Sequence, residues 1–186
     1  MGKTSRKQSP KGSTSGGPTS TDRRLVGEEL WFRGSLLYDE GRHREAVKLF
    51  RRAARLGYDA AYGRLAIAFH DGMGVRRSPS IALHYYRRAL AVGDTTALNN
   101  IGVLKREQGK LAEAAQWFQR SVDEGNDDAL VQLAKVRIQQ GGMTQEVRTQ
   151  LRRVLKSNTC ALVSQEEARA LLGLPAHSVS RSKARR

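Results

Sequence analysis

Residues 57–66 read Gly-Tyr-Asp-Ala-Ala-Tyr-Gly-Arg-Leu-Ala, and the pattern returns at 93–102 and at 125–134. The shared positions are Gly, three residues, Ala, three residues, Leu or Ile, then a small residue. They are Gly57-Ala61-Leu65-Ala66, Gly93-Ala97-Ile101-Gly102 and Gly125-Ala129-Leu133-Ala134. The copies are 36 and 32 residues apart. A second string interleaves with the first: Ala46-Phe50-Ala53, Ala82-Tyr86-Ala89, Ala114-Phe118-Ser121 and, in eroded form, Val147-Leu151-Val154. Four residues beyond each of these comes Gly57, Gly93, Gly125 or Asn158.

Spacings of three and four place residues on one face of a helix. Small residues at fixed points let two helix backbones approach, and the aromatic fills the space beside them. Gly or Asn suits a left-handed residue just past a helix end. Each unit is therefore a helix A, a turn, a helix B and a stop. This predicts helices A over 22–39, 59–71, 95–108 and 127–140. Helices B follow over 43–56, 79–92, 111–124 and 144–157. One pair cannot bury its apolar stripe alone, so the pairs must stack. The fold class is all-α: an α-solenoid of about four helix-turn-helix repeats over 22–158. The second turn, Gly72 to Pro79, is four residues longer than the others, which accounts for the 36-residue shift. Ser78 suits the N-cap there and Pro79 the first helical position. Beyond the array, Ser164 and Glu167 form a capping-box pattern. They predict a capping helix within 159–174 that ends at Gly173 and covers the open end of the stack.

Working outward, the flanks are basic and polar. The 186 residues carry 33 Lys and Arg against 18 Asp and Glu, a net charge of +15. Residues 1–21 and 175–186 each contribute +4 and contain no acid. With little to bury, both are expected to be disordered, solubilising tails. The first 20 residues hold no Leu, Ile, Val or Phe, which excludes a secretory signal and the apolar face of a mitochondrial one. Arg6 occupies the Ser/Thr position of a myristoylation signal. No apolar run approaches a membrane span. The single cysteine, Cys160, excludes an internal disulfide, and a reduced, cytoplasmic setting is expected.

The stretch from Ala61 to Ala97 resembles the Sel-one-like repeat family of the tetratricopeptide-like superfamily. The matching residues are Ala61, Leu65-Ala66, Phe69, Gly72-Met73-Gly74-Val75, Ala82, Tyr85-Tyr86, Ala89-Leu90, Gly93 and Ala97. Ala66 and Leu90 depart from that pattern. The copies at 28–60 and 96–128 are more similar to tetratricopeptide repeats, on Gly34, Ala46, Phe50 and Ala53, and on Gly102, Ala114 and Phe118; Arg33 departs. The resemblance implies a scaffold that holds proteins or peptides on an extended surface. It also implies a partner groove on the inner face, lined by helices A. Matching columns name Trp31, Ser35 and Tyr38, then Gly63, Ile67 and His70. Asn99, Val103 and Arg106 follow, then Val131, Lys135 and Ile138. The carboxylate-clamp pattern of the superfamily is not reproduced.

Other constellations carry less. The Gly72–Arg77 loop lacks the Gly-Lys-Ser/Thr ending and the preceding strand of a phosphate cradle. His70-Asp71, His84 and Cys160 form no arrangement suited to nucleophilic, metal or acid–base chemistry, so neither an enzyme nor a metal or cofactor is expected. Arg51-Arg52, Arg87-Arg88 and Arg152-Arg153 all follow the same helix B position and predict a positive ridge, either a solvated face or one that attracts an acidic protein partner or a nucleic-acid backbone. The sequence thus points to a non-enzymatic protein–protein interaction module. The alternative is nucleic-acid or anionic-surface binding through the ridge and tails.

Overall fold

The structure, a computed structural model, describes residues 19–176, and among them nine helices. They are α1 (Ser20–Asp39), α2 (His43–Arg55), α3 (Ala61–Asp71), α4 (Pro79–Ala91), α5 (Thr96–Glu107), α6 (Leu111–Asp123), α7 (Ala129–Gly141), α8 (Gln145–Lys156) and α9 (Leu162–Leu172). Each packs on the next in chain order, and α5, α7 and α9 also touch in sequence along one side. This is the α-solenoid of four helix pairs that the periodicity predicts. Helix α9 takes the place of a fifth helix A and packs on α7 and α8.

The repeated small and aromatic positions are the core. All twelve residues of the second string, from Ala46 to Val154, are no more than 1% exposed. The small residue of helix A faces the aromatic of helix B. A Cβ on Gly34 would lie 2.8 Å from Phe50 Cε1, and one on Gly102 would lie 2.6 Å from Phe118 Cε1. Full burial of such a phenyl ring stabilises by about 1.5–3 kcal/mol, and the glycine is what lets the helix backbones close over it.

The long second turn folds back on the first repeat. Gly74 has φ +75°, and a Cβ there would overlap the backbone of His43 and Arg44 at the start of α2. The Ser78 N–H donates to the Phe69 carbonyl at 2.8 Å and closes the turn. Pro79 begins α4 as predicted, although the Ser78 hydroxyl makes no cap bond.

Two ends differ from expectation. Helix α1 begins at Ser20 because Thr19 caps it. The Thr19 hydroxyl accepts from the Asp22 N–H at 3.1 Å, and the Asp22 carboxylate accepts from the Thr19 N–H at 2.9 Å. Ser20 and Thr21 are therefore helical rather than tail; the rest of the predicted tails, 1–18 and 177–186, lies outside the described residues. At the far end Ser164 is not a cap but sits inside α9, which starts after Ala161. Its entry is held from α7's N-terminus instead, where Asp128 Oδ1 accepts from the Ala161 N–H at 2.8 Å. The neighbouring Asp127 accepts from Ser157 (2.9 Å), Thr159 (2.8 Å) and Arg153 (3.0 Å). Hydroxyls and guanidinium together hold its carboxyl below the usual range, the Thr159 bond most strongly.

Candidate groove and arginine cleft

Helices α1, α3 and α5 bound a cavity of about 460 Å3 on the side lined by helices A. Its walls include Trp31, Gly63, Arg64, Ile67, Asp94 and Asn100. Trp31 is half-buried, tilted against Tyr58 with ring centroids 5.8 Å apart, and the Arg64 guanidinium stands 6.0 Å from its ring. Its indole Nε1 is buried without a hydrogen-bond partner. Asp94 is fixed at the start of α5: its Oδ1 accepts from the Thr96 N–H at 3.1 Å and from the Thr96 hydroxyl. Gly63 leaves room for the other oxygen, since a Cβ there would lie 3.0 Å from Asp94 Oδ2. An indole ring, a carboxylate, a guanidinium and an amide thus surround a partly apolar hollow, the mixture a small binding site needs.

The predicted groove residues divide. Trp31, Gly63 and Ile67 line the cavity. Asn99 is half-buried with its Oδ1 unpartnered, while the cavity is lined by its neighbour Asn100. Tyr38 stands at the other end of α1. Its hydroxyl donates to Met73 Sδ at 2.9 Å, its ring meets His43 edge-on at 4.6 Å, and burial pushes the hydroxyl up.

His70, Arg106 and Lys135 tie each helix A to the next. His70 is buried on α3; its Nε2 pairs with the Glu107 carboxylate of α5 at 3.1 Å and its Nδ1 with the Tyr86 hydroxyl at 3.1 Å. Arg77 donates to both the His70 carbonyl (2.8 Å) and Glu107 (2.6 Å). Arg106 of α5 donates to Gln132 of α7 at 2.6 Å, and Lys135 of α7 to Glu167 of α9 at 2.7 Å. His70 is thereby corrected from a groove contact to a buried strut, since both its nitrogens are used inside the fold. The other two lie on the expected face with their polar heads engaged between repeats.

The predicted ridge is not uniform. Arg51, Arg52, Arg87, Arg88, Arg152 and Arg153 are all exposed. Arg153 pairs with Asp127, whereas Arg51 lies over the Phe69 ring at 5.5 Å and Arg88 over Tyr62 at 4.5 Å. The last two open on a cleft between α2 and α4 that sequence reasoning missed, together with Arg55, Tyr62 and Tyr85. Cys160 is buried, and burial pushes its thiol up. No helix among the described residues is long and apolar enough to cross a membrane.

Two family models match the chain: the Sel1 repeat over residues 32–58 and a tetratricopeptide repeat over 75–129. The allocation differs from the resemblance read above, which placed the Sel-one-like unit at 61–97. Both repeat types share the small–aromatic–small column of helix B, so the length of the turn does not by itself separate them. Similar solved structures include a Sel1 repeat protein from Oxalobacter formigenes (22% identity, TM-score 0.59, 84% of this chain and 65% of that one). Another is c5321, a protective antigen present in uropathogenic Escherichia coli strains displaying an SLR fold (22%, TM-score 0.56, 86% and 36%). A third is Pseudomonas aeruginosa pilF (23%, TM-score 0.65, 81% and 69%). The chain thus spans less than two thirds of the first two proteins' length, and at these identities the likeness is one of fold. No curated protein matches the sequence.

Proposed function

We propose, from the premise that this chain carries Sel1 and tetratricopeptide repeats, that it is a non-enzymatic scaffold holding an extended segment of a protein partner along α1, α3 and α5. The observation that carries the reading is the Trp31 hollow. A half-buried indole ring stands beside Asn100, Arg64 and Asp94 in a cavity of about 460 Å3. An extended peptide offers what this arrangement takes: a side chain for the hollow and the indole ring, and backbone groups for the Asn100 amide. Trp and Arg are also the side chains in which binding energy concentrates.

The test uses peptides selected from a random display library on the full chain, with affinity then measured by fluorescence anisotropy. Trp31→Ala is expected to weaken selected peptides by about tenfold or more, and Asn100→Ala by less. Trp31 emission should shift on binding in a Trp117→Phe background. Selected peptides indifferent to both Trp31 and Asn100 would overturn the groove reading, whereas salt-sensitive binding of a labelled oligonucleotide, abolished by reversing the six ridge arginines to Glu, would support the nucleic-acid or anionic-surface reading.

A further inference from the structure

We infer that the arginine-walled cleft between α2 and α4 is a second binding site, on the other side of α3 from the groove's helices, for an acidic segment carrying more than one carboxylate side chain. The inference rests on the scaffold reading above, because the segment would belong to a protein partner. The cleft has a volume of about 400 Å3. Arg51 and Arg55 of α2 and Arg88 of α4 form its walls, and Tyr62, Leu65 and Tyr85 its floor.

Three observations lead to an acidic occupant. The first is charge. No acid lines the cleft, and among the described residues none of the three arginines pairs with a carboxylate. Arg33, Arg42, Arg77, Arg137 and Arg153 each reach an acid, and Arg52, Arg87 and Arg152, like the cleft arginines, reach none among the described residues; the cleft differs in bringing three unpaired cations to one place. Three like charges at one place repel, and carboxylates relieve that repulsion through the paired N–H geometry that guanidinium offers.

The second observation is preorganisation. Tyr85 stacks on Phe69 (5.8 Å, 13° between planes) and on Tyr62 (6.5 Å, 25°), giving a continuous aromatic floor. Arg88 lies over Tyr62 and Arg51 over Phe69. Cation–ring attraction of this kind favours the conformers that keep Arg51 and Arg88 at the cleft, and their N–H groups make no hydrogen bond to an acid among the described residues. That bias lowers the entropy cost of binding.

The third observation selects the class of ligand. Arg88 lies over the Tyr62 ring and Tyr85 packs against Tyr62 and Phe69, so the cleft offers charge with little open ring face for a nucleobase to stack on. The cavity has room for about a dozen waters, more than an isolated anion needs, and its cations stand on two helices. Neighbouring Glu or Asp side chains of one segment match that layout.

The experiment measures anisotropy of fluorescein-labelled octaglutamate with the full chain at about 150 mM salt, beside a labelled oligothymidine of equal length. Arg51→Gln with Arg88→Gln is expected to weaken octaglutamate about tenfold. Arg55→Gln should weaken it several-fold; Arg55 lies over no ring, and this variant should melt like the parent. Arg152→Gln with Arg153→Gln removes the same charge at the far end and should change affinity less than about twofold. Equal losses in the two double variants would show diffuse attraction and overturn the site. So would absence of octaglutamate binding, or tighter oligothymidine binding with the same arginine dependence. None of these results bears on the Trp31 groove, whose own test would stand.

Discussion

Gly102 offers the sharpest test of the repeat register. It lies in α5 with ordinary helical backbone, so Gly102→Ala carries no conformational penalty and gains about 0.5–1 kcal/mol of helix propensity. The space around it opposes that gain. The new Cβ would lie 2.6 Å from Cε1, 2.7 Å from Cδ1 and 3.0 Å from Cζ of Phe118. Ordinary carbon contacts begin near about 3.5 Å, so the ring must retreat by roughly 1 Å or the helices must part. Phe118 is fully buried and has nowhere to go. Overpacking of this kind costs about 1–3 kcal/mol, and contacts this short belong to the upper part of that range, so it outweighs the propensity gain and leaves a net loss of up to about 2.5 kcal/mol. The control is Gly141→Ala in α7, where a Cβ would meet nothing within 4 Å. That variant should hold or gain stability. At this size about 1 kcal/mol moves a melting temperature by 2–4 °C, so thermal and urea unfolding should rank Gly141→Ala above the parent and Gly102→Ala below it. Gly102→Phe should lose about 3 kcal/mol or more. Adding Phe118→Leu to Gly102→Ala should give less than the sum of the two losses. If Gly102→Ala melted at or above Gly141→Ala, the proposed contact between helix A and helix B would be wrong.

Further outcomes follow from particular contacts. His70→Leu leaves the buried Tyr86 hydroxyl without its partner and should cost about 1–3 kcal/mol; adding Tyr86→Phe should recover part of it, as urea unfolding of the double variant would show. Asp127 titrates below its unfolded value, so its contribution is present at neutral pH, above the ordinary carboxylate range near about 4, and is lost as pH falls through the lowered folded value. Asp127→Asn should therefore cost about 1–2 kcal/mol at pH 7 and converge on the parent in acid, a difference read from melting temperatures across pH. Cys160, buried and with its thiol pushed up, should react slowly with a thiol reagent in the native chain and rapidly in urea.

The helix pairs were legible because their signals are local and repeated. Gly, Ala and Leu or Ile at spacings of four recur at the start of α3, α5 and α7, and an aromatic recurs in α2, α4 and α6. The ends were less legible. Thr19 and Asp22 carry a readable capping pattern, but it sits inside a polar flank that composition assigned to a tail. The Ser164–Glu167 pattern is equally good on paper and caps nothing. Glu167 instead receives Lys135 from α7, and Gln165 turns back to the Ser157 carbonyl at 3.1 Å. Where α9 begins is thus decided by α7 and by the preceding loop, neither of which a four-residue window contains.

The site was legible as a face and not as a set of contacts. Column matching named Trp31, Gly63 and Ile67, which do line one cavity, because a column fixes where a residue points on its own helix. It does not fix what the next helix offers in return. His70, Arg106 and Lys135 reach Glu107, Gln132 and Glu167, which lie 37, 26 and 32 residues ahead, about one repeat in each case. A search for a polar complement at roughly one repeat's offset would have found these ties, whereas a column read alone makes the same residues look free for a partner. The arginine pairs make the point more strongly, since the dipeptide is identical in three copies. Arg88 lies over Tyr62 and Arg51 over Phe69 because α3 presents those rings between α2 and α4. Arg153 meets Asp127 because the turn before α7 carries an acid there. The same two letters therefore become a cleft wall at one end of the solenoid and, at the other, part of the Asp127 network that holds the loop before α9, and the difference lies in the neighbouring element.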